Sequence, residues 1–253
     1  MHINLENKHI LVTGASRGIG KAIGKQLLES GATVGLHYHQ NKAGILEMEK
    51  EFPGKAFGFQ ANLSDVGEVN KLFEEVISTL GQCEVLINNA AIALQSDFED
   101  NNELWLSEWQ QTMQVNLTSS AFLSKLFVNQ LLDKQHEGSL VFISSRAAFR
   151  GDTAEYMAYA ASKAGMMAYS HSIARAYGKQ GIKSFVIAPG FVRTDMAQDF
   201  MDEYGEDYVL NDIILPKLTE PEDIANMVVF LASGLADHAT GTAISINAGS
   251  YIR

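Results

Sequence analysis

The chain has 253 residues, 46% of them hydrophobic, and carries a formal net charge of −11 with a pI of about 5.0. This acidic balance argues against nucleic acid or an anionic membrane as a partner, because both attract basic proteins. One cysteine, Cys83, excludes an internal disulfide, and the sequence has neither a zinc-ligand spacing nor the roughly 18 apolar residues of a membrane span. We expect a metal-free cytoplasmic protein.

The first feature along the chain is an apolar run at 9–13 that stops at a glycine-rich turn and leads into a helical pattern. The turn reads Gly14-Ala15-Ser16-Arg17-Gly18-Ile19-Gly20. A strand, a glycine turn and a helix in this order are typical of a dinucleotide-binding cradle, because glycines let the backbone approach a pyrophosphate and a helix N-terminus attracts its charge. The spacing differs from the Gly-x-Gly-x-x-Gly form. Taken alone, the pattern also fits a plain strand-to-helix turn.

The second strand, at 31–38, bears on which dinucleotide binds. An acidic residue at its end would bind the ribose 2′-hydroxyl of NAD and repel the 2′-phosphate of NADP. The sequence has no acid there but Tyr38-His39-Gln40-Asn41, and Arg17 in the glycine turn is a candidate phosphate partner. The sequence therefore favours NADP(H) over NAD(H), although an arginine in this turn also has other uses.

Two more strands and two helices precede the middle of the chain. We predict a helix at about 42–52, a strand at about 55–61, a helix with an apolar stripe at 66–80 and a strand at 85–87. The last strand ends in Asn88-Asn89-Ala90-Ala91. Small residues and amides at a strand end suit the close approach of a cofactor, although a plain turn would use similar residues.

The stretch 105–132 is predicted to be largely helical and carries Asn116 in its interior. Because asparagine is a poor helix former, we expect its side chain to bond another group. Trp105 and Trp109 lie in the same stretch. We expect both to pack against protein rather than to stack on a ligand.

A fifth strand at 138–143 ends at Ser144 and Ser145, and a helix with Tyr159 and Lys163 follows. Residues four apart lie on one face of a helix, so this phenol and this ammonium are neighbours. A free phenol has a pKa of about 10, and a cation about 4 Å away at an effective dielectric of about 20 lowers that pKa by on the order of three units. The pair alone is a weak signal, since most such pairs are surface neighbours on a helix.

The last part of the chain holds a sixth strand at 182–187, followed by Pro189-Gly190, and a final strand at 242–246. Between them, the segment 191–216 interleaves acidic and aromatic residues. We predict a flap on the substrate side of a pocket, although a solvated helix pair fits the same pattern. Thr219 is predicted to be the N-cap of the helix that follows.

Together these motifs resemble the short-chain dehydrogenase/reductase family, from residue 6 to the C-terminus. The glycine turn, the sequence Asn88-Asn89-Ala90-Ala91, the serine–tyrosine–lysine set and Pro189-Gly190 carry the resemblance. It implies one Rossmann-type, doubly wound α/β domain over 1–253, with a parallel sheet of about seven strands flanked by helices, and a homotetramer. Within the family the chain is most similar to the 3-oxoacyl-carrier-protein reductases, in Ala161-Ser162-Lys163-Ala164-Gly165 and in Pro189-Gly190-Phe191-Val192-Arg193-Thr194-Asp195-Met196.

The resemblance also implies a reversible hydride transfer between a nicotinamide and a carbonyl or secondary alcohol. Its catalytic set is Asn116, Ser145, Tyr159 and Lys163. Tyr159 would exchange the proton, and Lys163 would hold the nicotinamide ribose and lower the tyrosine's pKa. Ser145 would bind the substrate oxygen and Asn116 would position a water. The residues implied in cofactor binding are Gly14, Ser16, Arg17, Gly18, Ile19, Gly20, Tyr38, Asn62, Leu63, Asn89, Ala90, Tyr159, Lys163, Pro189, Gly190, Val192 and Thr194.

Four features depart from the common pattern of the family. Ala91 stands where glycine is usual, and Asn247-Ala248-Gly249 where Asp-Gly-Gly is common. Asn62 replaces an aspartate that commonly accepts a bond from adenine, which its amide oxygen can still do. The spacing from Ser145 to the catalytic tyrosine is one residue longer than usual, which favours Ser145 over Ser144 without excluding Ser144.

The sequence leaves the substrate open between an acyl group on a carrier protein and a free small carbonyl compound or alcohol, such as a sugar or steroid. A carrier protein is acidic, and this acidic chain offers Lys134, His136 and Lys179 but no arginine pair near the ends of its two central helices. The sequence is also compatible with an enzyme of the same fold that catalyses dehydration or epimerisation, and with a regulatory protein that has lost catalysis.

Arg146 and Arg150 follow the catalytic serine closely, and the resemblance does not explain them. One interpretation pairs them with the acidic 195–212 segment or with another subunit. The other places one of them, Arg146 first, in the pocket as the ligand of an anionic substrate group, because guanidinium suits carboxylate and phosphate.

Overall fold

The computed structural model describes residues 3–194, 201 and 205–252. Its centre is a sheet with the strand order β3-β2-β1-β4-β5-β6-β7, in which every neighbouring pair is parallel. The strands are β1 (His9–Val12), β2 (Thr33–Tyr38), β3 (Ala56–Gln60), β4 (Val85–Asn88), β5 (Gly138–Ile143), β6 (Ile182–Pro189) and β7 (Ala243–Ile246). This order confirms the predicted doubly wound α/β sheet.

Helices cover both faces of the sheet. Within the described residues they are α1 (Gly18–Glu29), α2 (Ala43–Glu51), α3 (Val66–Leu80), α4 (Asn102–Met113), α5 (Ser119–Lys134), α6 (Ala147–Arg150), α7 (Met157–Tyr177), α8 (Glu206–Asn211) and α9 (Pro221–Ala232). No helix in this part of the chain combines the length and apolar character needed to cross a membrane.

Alternate residues of the central strands enter two separate hydrophobic layers. On β1, Ile10 and Val12 join the layer formed with α1 and α9, whereas Leu11 joins the layer formed with α3, α5 and α7. Side chains of a strand point to opposite faces in turn, and helices on both faces of a parallel sheet bury both sets. This two-sided burial explains why the strands appear in the sequence as short, continuous apolar runs.

The chain order reverses between β1 and β4, which are neighbours in the sheet. From β1 the chain builds outward through β2 and β3, and from β4 it builds the other way through β5, β6 and β7. Open α/β sheets bind ligands outside the carboxyl ends of the strands at such a reversal. The fold therefore places the cofactor cradle and the catalytic side chains along one edge.

The structure refines one predicted helical stretch and moves the start of another helix. The stretch predicted to be largely helical at 105–132 is helical and consists of α4 and α5, joined by a wider π-helical turn at Gln114–Thr118. The predicted N-cap Thr219 is wrong by one residue, because its backbone pairs with Val192. The helix begins after Glu220 instead, whose N–H donates to the Asp223 carboxylate at 2.9 Å.

Two further sequence predictions concern the tryptophans of α4 and the flap. The rings of Trp105 and Trp109 stack on each other with centroids 5.4 Å apart. Part of the segment 191–216 that was expected to form a flap, at 195–200 and 202–204, lies outside the described residues.

Candidate active site and cofactor cradle

Ser145, Tyr159 and Lys163 meet at the carboxyl edge of the sheet. Ser145 comes directly after β5, and the other two lie one turn apart near the start of α7. The side chains of Ser145 and Tyr159 are hydrogen-bonded, and the Lys163 ammonium lies 5.6 Å from the centroid of the tyrosine ring. A hydroxyl pair next to an amine is an arrangement that can bind a carbonyl oxygen and exchange a proton with it.

The two adjacent serines have different partners. The Ser144 hydroxyl is buried and donates to the backbone oxygen of Lys163 at 2.9 Å, which ties the end of β5 to α7. The Ser145 hydroxyl accepts the N–H of Ala147 at 3.1 Å and also contacts the Tyr159 hydroxyl. The geometry therefore directs Ser145 to the reacting side and gives Ser144 a bond within the scaffold.

Burial dominates the protonation of the tyrosine and the lysine. It raises the pKa of Tyr159 to about 12, although the hydrogen bond from Ser145 lowers that pKa in part. It lowers the pKa of Lys163 to about 7. Lys163 is not among the groups that shift the pKa of Tyr159 in this arrangement, and its side-chain nitrogen donates to the backbone oxygen of Ile143 at 2.8 Å.

Asn116 sits fully buried in the π-helical turn between α4 and α5. Its amide oxygen accepts the N–H of Ile92 at 2.9 Å, and its amide nitrogen donates to the oxygen of Ile92 at 2.9 Å and to the Ser162 hydroxyl at 3.0 Å. Ser162 in turn donates to the backbone oxygen of Tyr159 at 2.7 Å. Asn116 thus connects the loop after β4 to the turn of α7 that carries the tyrosine.

The glycine turn has the backbone that a pyrophosphate requires. Gly14 and Gly18 have φ values of +66° and +51°, which favour glycine, and a Cβ on Gly20 would lie 2.1 Å from the oxygen of Gly14. Helix α1 begins at Gly18 without a capping bond from the side chain of its N-cap residue, Arg17. The first N–H groups of α1 and the helix dipole suit an anion, so the turn fits the pyrophosphate of a dinucleotide.

A second pair of residues holds this turn in place. The Asn89 amide nitrogen donates to the backbone oxygens of Thr13 at 2.8 Å and Gly14 at 3.1 Å. The Thr13 hydroxyl accepts the N–H groups of Asn89 at 2.9 Å and Ala90 at 3.0 Å. Asn89 therefore supports the backbone of the glycine turn. Its hydrogen-bond partner is Thr13, a residue that the sequence analysis did not select.

The corner expected to meet the 2′-phosphate gathers residues from the glycine turn, the end of β2 and the start of α2. The Tyr38 side chain is mostly buried, and the Lys42 ammonium lies 5.9 Å from the centroid of its ring. Gly44 packs so closely that an added Cβ would lie 2.3 Å from the oxygen of Ser16. This contact brings Lys42, a cation that the sequence analysis missed, to the same corner as Arg17.

At the expected adenine side, the side chain of Asn62 makes different hydrogen bonds from those that the sequence predicted. Its amide oxygen already accepts two bonds from Ser64, from the N–H at 3.1 Å and from the hydroxyl at 2.7 Å. These local bonds form a turn before α3 and engage the amide oxygen that was expected to accept a bond from adenine. Leu63, next to Asn62, is buried in the hydrophobic layer.

The residues after β6 form the wall opposite the glycine turn. The N–H of Gly190 bonds to the oxygen of Ile246 at 3.0 Å, and the Val192 side chain is buried. A Cβ on Gly18 would lie 3.2 Å from a methyl carbon of Thr194. The fold therefore brings the 189–194 segment over the start of α1, as a site that encloses a pyrophosphate requires.

The arginines behind Ser145 form an ion-pair cluster. Arg146 is buried, pairs with the carboxylate of Asp212 and has its guanidinium 4.4 Å from the centroid of the Phe191 ring. Arg150 lies 3.8 Å from the same carboxylate. Burial raises the pKa of the nearby Asp152 carboxyl, and the charge of Asp152 in turn raises the pKa of Tyr159. The structure therefore shows the first of the two interpretations of Arg146 and Arg150, in which they pair with the acidic 195–212 segment.

A doubly wound sheet with this cradle and this hydroxyl–amine set defines a nicotinamide-dependent oxidoreductase. The family model described as Enoyl-(Acyl carrier protein) reductase matches residues 14–250. The chain belongs to the short-chain dehydrogenase/reductase family, as its motifs predicted, and is an NAD(P)-dependent oxidoreductase acting between a carbonyl and a secondary alcohol.

Individual relatives match over nearly the whole chain. The chain is 34% identical over 254 residues to the 3-oxoacyl-[acyl-carrier-protein] reductase FabG of Aquifex aeolicus, covering 99% of this chain and 100% of the relative. It is 36% identical over 248 residues to the FabG of Staphylococcus aureus (strain Mu50), covering 97% and 98%. A solved structure of a putative 2-deoxy-d-gluconate 3-dehydrogenase from Agrobacterium tumefaciens with bound NADP matches with a TM-score of 0.87 at 28% identity, covering 98% of this chain and 97% of that one.

Proposed function

We propose that the chain reduces 3-oxoacyl thioesters with NADPH. The observation that carries the proposal is the hydrogen-bonded pair Ser145–Tyr159 beside Lys163, at the edge where the dinucleotide cradle lies. The likeness to 3-oxoacyl-[acyl-carrier-protein] reductases over nearly the full chain supports the substrate class. NADP(H), when bound, supplies the hydride to the carbonyl carbon or accepts it back.

The protein's own residues orient the substrate and move the proton. Ser145 donates a hydrogen bond to the carbonyl oxygen, and Tyr159 gives that oxygen its proton as it becomes an alkoxide. A tyrosine with a pKa of about 12 is fully protonated at neutral pH, which suits reduction. Lys163 holds the nicotinamide ribose. Asn116 fixes the turn of α7 that carries the tyrosine, and it positions a water between Lys163 and solvent.

The proposal includes a preference for NADPH over NADH. Arg17 and Lys42 supply two cations at the expected 2′-phosphate corner, and β2 ends at Tyr38 without an acid. The remaining contacts proposed for the cofactor are those named from the sequence, from the glycine turn to Thr194. Titration of the wild type should show tighter binding of NADPH, and Tyr38→Asp should reverse the order by repelling the 2′-phosphate. Equal or tighter binding of NADH by the wild type contradicts the preference.

A second candidate is the oxidation or reduction of a small polar molecule such as a sugar acid. Two observations favour it: the likeness to a putative 2-deoxy-d-gluconate 3-dehydrogenase and the cluster of charged side chains Arg150, Asp152 and Asp212, of which Asp152 acts on the pKa of Tyr159. The chain's net charge of −11 also opposes an acidic carrier protein at long range.

A substrate panel separates the two candidates. We expect NADPH-dependent turnover of acetoacetyl thioesters to exceed that of free keto sugars and keto acids by at least about tenfold in kcat/KM. The carrier question needs a matched pair of substrates, acetoacetyl carrier protein and acetoacetyl-CoA. Arg175 is exposed in the last turn of α7. If a carrier protein docks there, Arg175→Glu should slow the turnover of acetoacetyl carrier protein and leave the turnover of acetoacetyl-CoA unchanged. Faster turnover of sugars than of thioesters would favour the second candidate.

The proposal extends to assembly and location. The segment 191–216 is proposed as the substrate-side flap of a single domain, and a homotetramer in the cytoplasm as the working form. Leu104 and Leu106 on α4 are exposed apolar residues beside the stacked tryptophans, which supports self-association through this helix. Light scattering of the purified protein tests the tetramer.

A further inference from the structure

His37 is a buried histidine on β2 that the proposed reaction does not use. Its side chain is 2% exposed. Its Nδ1 accepts the N–H of Gly14 at 3.0 Å, and its Nε2 lies 3.0 Å from the backbone oxygen of Ala61. Gly14 opens the glycine turn, and Ala61 immediately precedes Asn62 at the expected adenine side. One imidazole ring therefore bridges two segments assigned to the cofactor.

The two partners fix the tautomer of the ring. The N–H of Gly14 can only donate, so Nδ1 carries no proton, and the oxygen of Ala61 can only accept, so Nε2 carries the proton. A protonated ring would set one N–H against another at Gly14. Burial also lowers the pKa of His37 to about 4, so the ring is neutral near pH 7.

The backbone of His37 adds a third bond to the same turn. Its oxygen accepts the N–H of Ala15 at 2.8 Å, so side chain and backbone together bind two successive N–H groups of the glycine turn. Gly14 has a φ of +66°, a conformation that the turn must keep for its backbone to face a pyrophosphate. An apolar residue at position 37 would leave the N–H of Gly14 and the oxygen of Ala61 without these partners.

We propose that His37 is a positioning residue for the dinucleotide, holding the pyrophosphate turn and the adenine-side loop at a fixed separation. The proposal rests on the chain's use of a nicotinamide dinucleotide and not on its preference for NADPH. Binding is therefore measured with both NADPH and NADH. The ring acts on the ADP half of the cofactor, so its loss should weaken binding without slowing the hydride step at saturating cofactor.

Three substitutions separate the two ends of the bridge. His37→Leu removes both bonds. His37→Asn places an amide oxygen near the position of Nδ1 and keeps the bond to Gly14, whereas His37→Gln places an amide nitrogen near the position of Nε2 and keeps the bond to Ala61. We expect the dissociation constant of NADPH and the inhibition constant of 2′,5′-ADP to rise at least tenfold in His37→Leu, less in His37→Gln and least in His37→Asn. The kcat at saturating cofactor should stay within about threefold of the wild type.

A matched control distinguishes positioning from a general loss of stability. Ser184 is fully buried and shares a 2.7 Å hydrogen bond with Ser170. This bond joins β6 to α7 near the start of β6, away from the carboxyl edge of the sheet. Ser184→Ala should lower the melting temperature and leave cofactor binding unchanged. Folded His37 variants that bind NADPH, NADH and 2′,5′-ADP as tightly as the wild type overturn the proposal, as does a loss confined to kcat. If His37→Leu does not fold, His37→Asn and His37→Gln still decide the matter by their order.

Discussion

Ser144 and Ser145 are consecutive residues at the end of β5, yet their hydroxyls have different partners. Ser144 donates to the backbone of α7, while Ser145 contacts the hydroxyl of Tyr159. We expect Ser145→Ala to lower kcat/KM by on the order of 10²-fold, the loss typical when a donor to a developing oxyanion is removed. Ser144→Ala should keep activity within about tenfold and lose about 1 kcal/mol of stability with its buried bond. Steady-state kinetics and thermal unfolding of both variants measure this, and the reverse order of activity would assign the catalytic role to Ser144.

The buried imidazole of His37 should also make stability depend on pH. Its pKa is lowered from 6.5 to about 4 by burial, so between these values the unfolded state binds a proton that the folded state does not. The contribution of His37 to the free energy of unfolding is therefore at its full value above about pH 6.5, and it is lost as the pH falls toward 4. Between pH 7.5 and pH 5 the loss should be about 2 kcal/mol.

Urea unfolding of the wild type and His37→Gln at the two pH values isolates this contribution. Glutamine does not titrate, so the wild type should lose about 2 kcal/mol more than the variant as the pH falls. A constant difference in unfolding free energy between the two proteins would show that the folded ring titrates near its ordinary pKa.

At the scale of elements, the ion pair Arg146–Asp212 joins the loop behind the catalytic serine to the segment after α8. The guanidinium is 6% exposed and the carboxylate 30%. Removing one partner of a fully buried pair costs about 3–5 kcal/mol. Because Asp212 is partly solvated, we expect Asp212→Asn and Arg146→Met each to cost about 2 kcal/mol, and the double variant to cost less than their sum.

The exposed pair Arg193–Glu220 provides the control, since Arg193 is 49% exposed and Glu220 39%. Arg193→Met should change the unfolding free energy by less than about 1 kcal/mol. Additive effects of the Arg146 and Asp212 substitutions would show that their contact contributes nothing to the free energy of unfolding.

The pairing of Arg146 with Asp212 also predicts that Arg146→Ala changes KM for a β-keto acid and for its ester equally. A selective rise for the acid would restore the interpretation of Arg146 as a substrate ligand.

At the scale of the whole molecule, the sequence was sufficient for the fold. Strands buried on both faces appear as short apolar runs, such as Leu140 to Ile143, and the helix at 66–80 shows its stripe at the spacing that the structure keeps. The glycine turn and the Tyr159–Lys163 spacing could also be recognised from the sequence, because each depends on residues close together in the chain.

The details that the sequence could not give depend on contacts between distant segments or on competing local bonds. The bond from Lys163 to Ile143 exists because β5 runs directly beneath α7. Asp212 meets Arg146 across 66 positions of sequence. The bridge made by His37 requires the glycine turn, β2 and the end of β3 to be assembled. Asn62 turns its oxygen to Ser64, a local bond that competes with the expected bond to adenine.

The central claim is that Tyr159 gives the proton to a carbonyl reduced by a bound nicotinamide. The most direct test is single-turnover oxidation of NADPH with an acetoacetyl thioester, followed by absorbance, in the wild type and in Tyr159→Phe. The substitution removes the transferable proton and keeps the ring, so cofactor affinity and unfolding temperature should be unchanged while the rate of NADPH oxidation falls by at least about 10²-fold. A folded Tyr159→Phe protein that binds NADPH normally and oxidises it at a rate near that of the wild type contradicts the account.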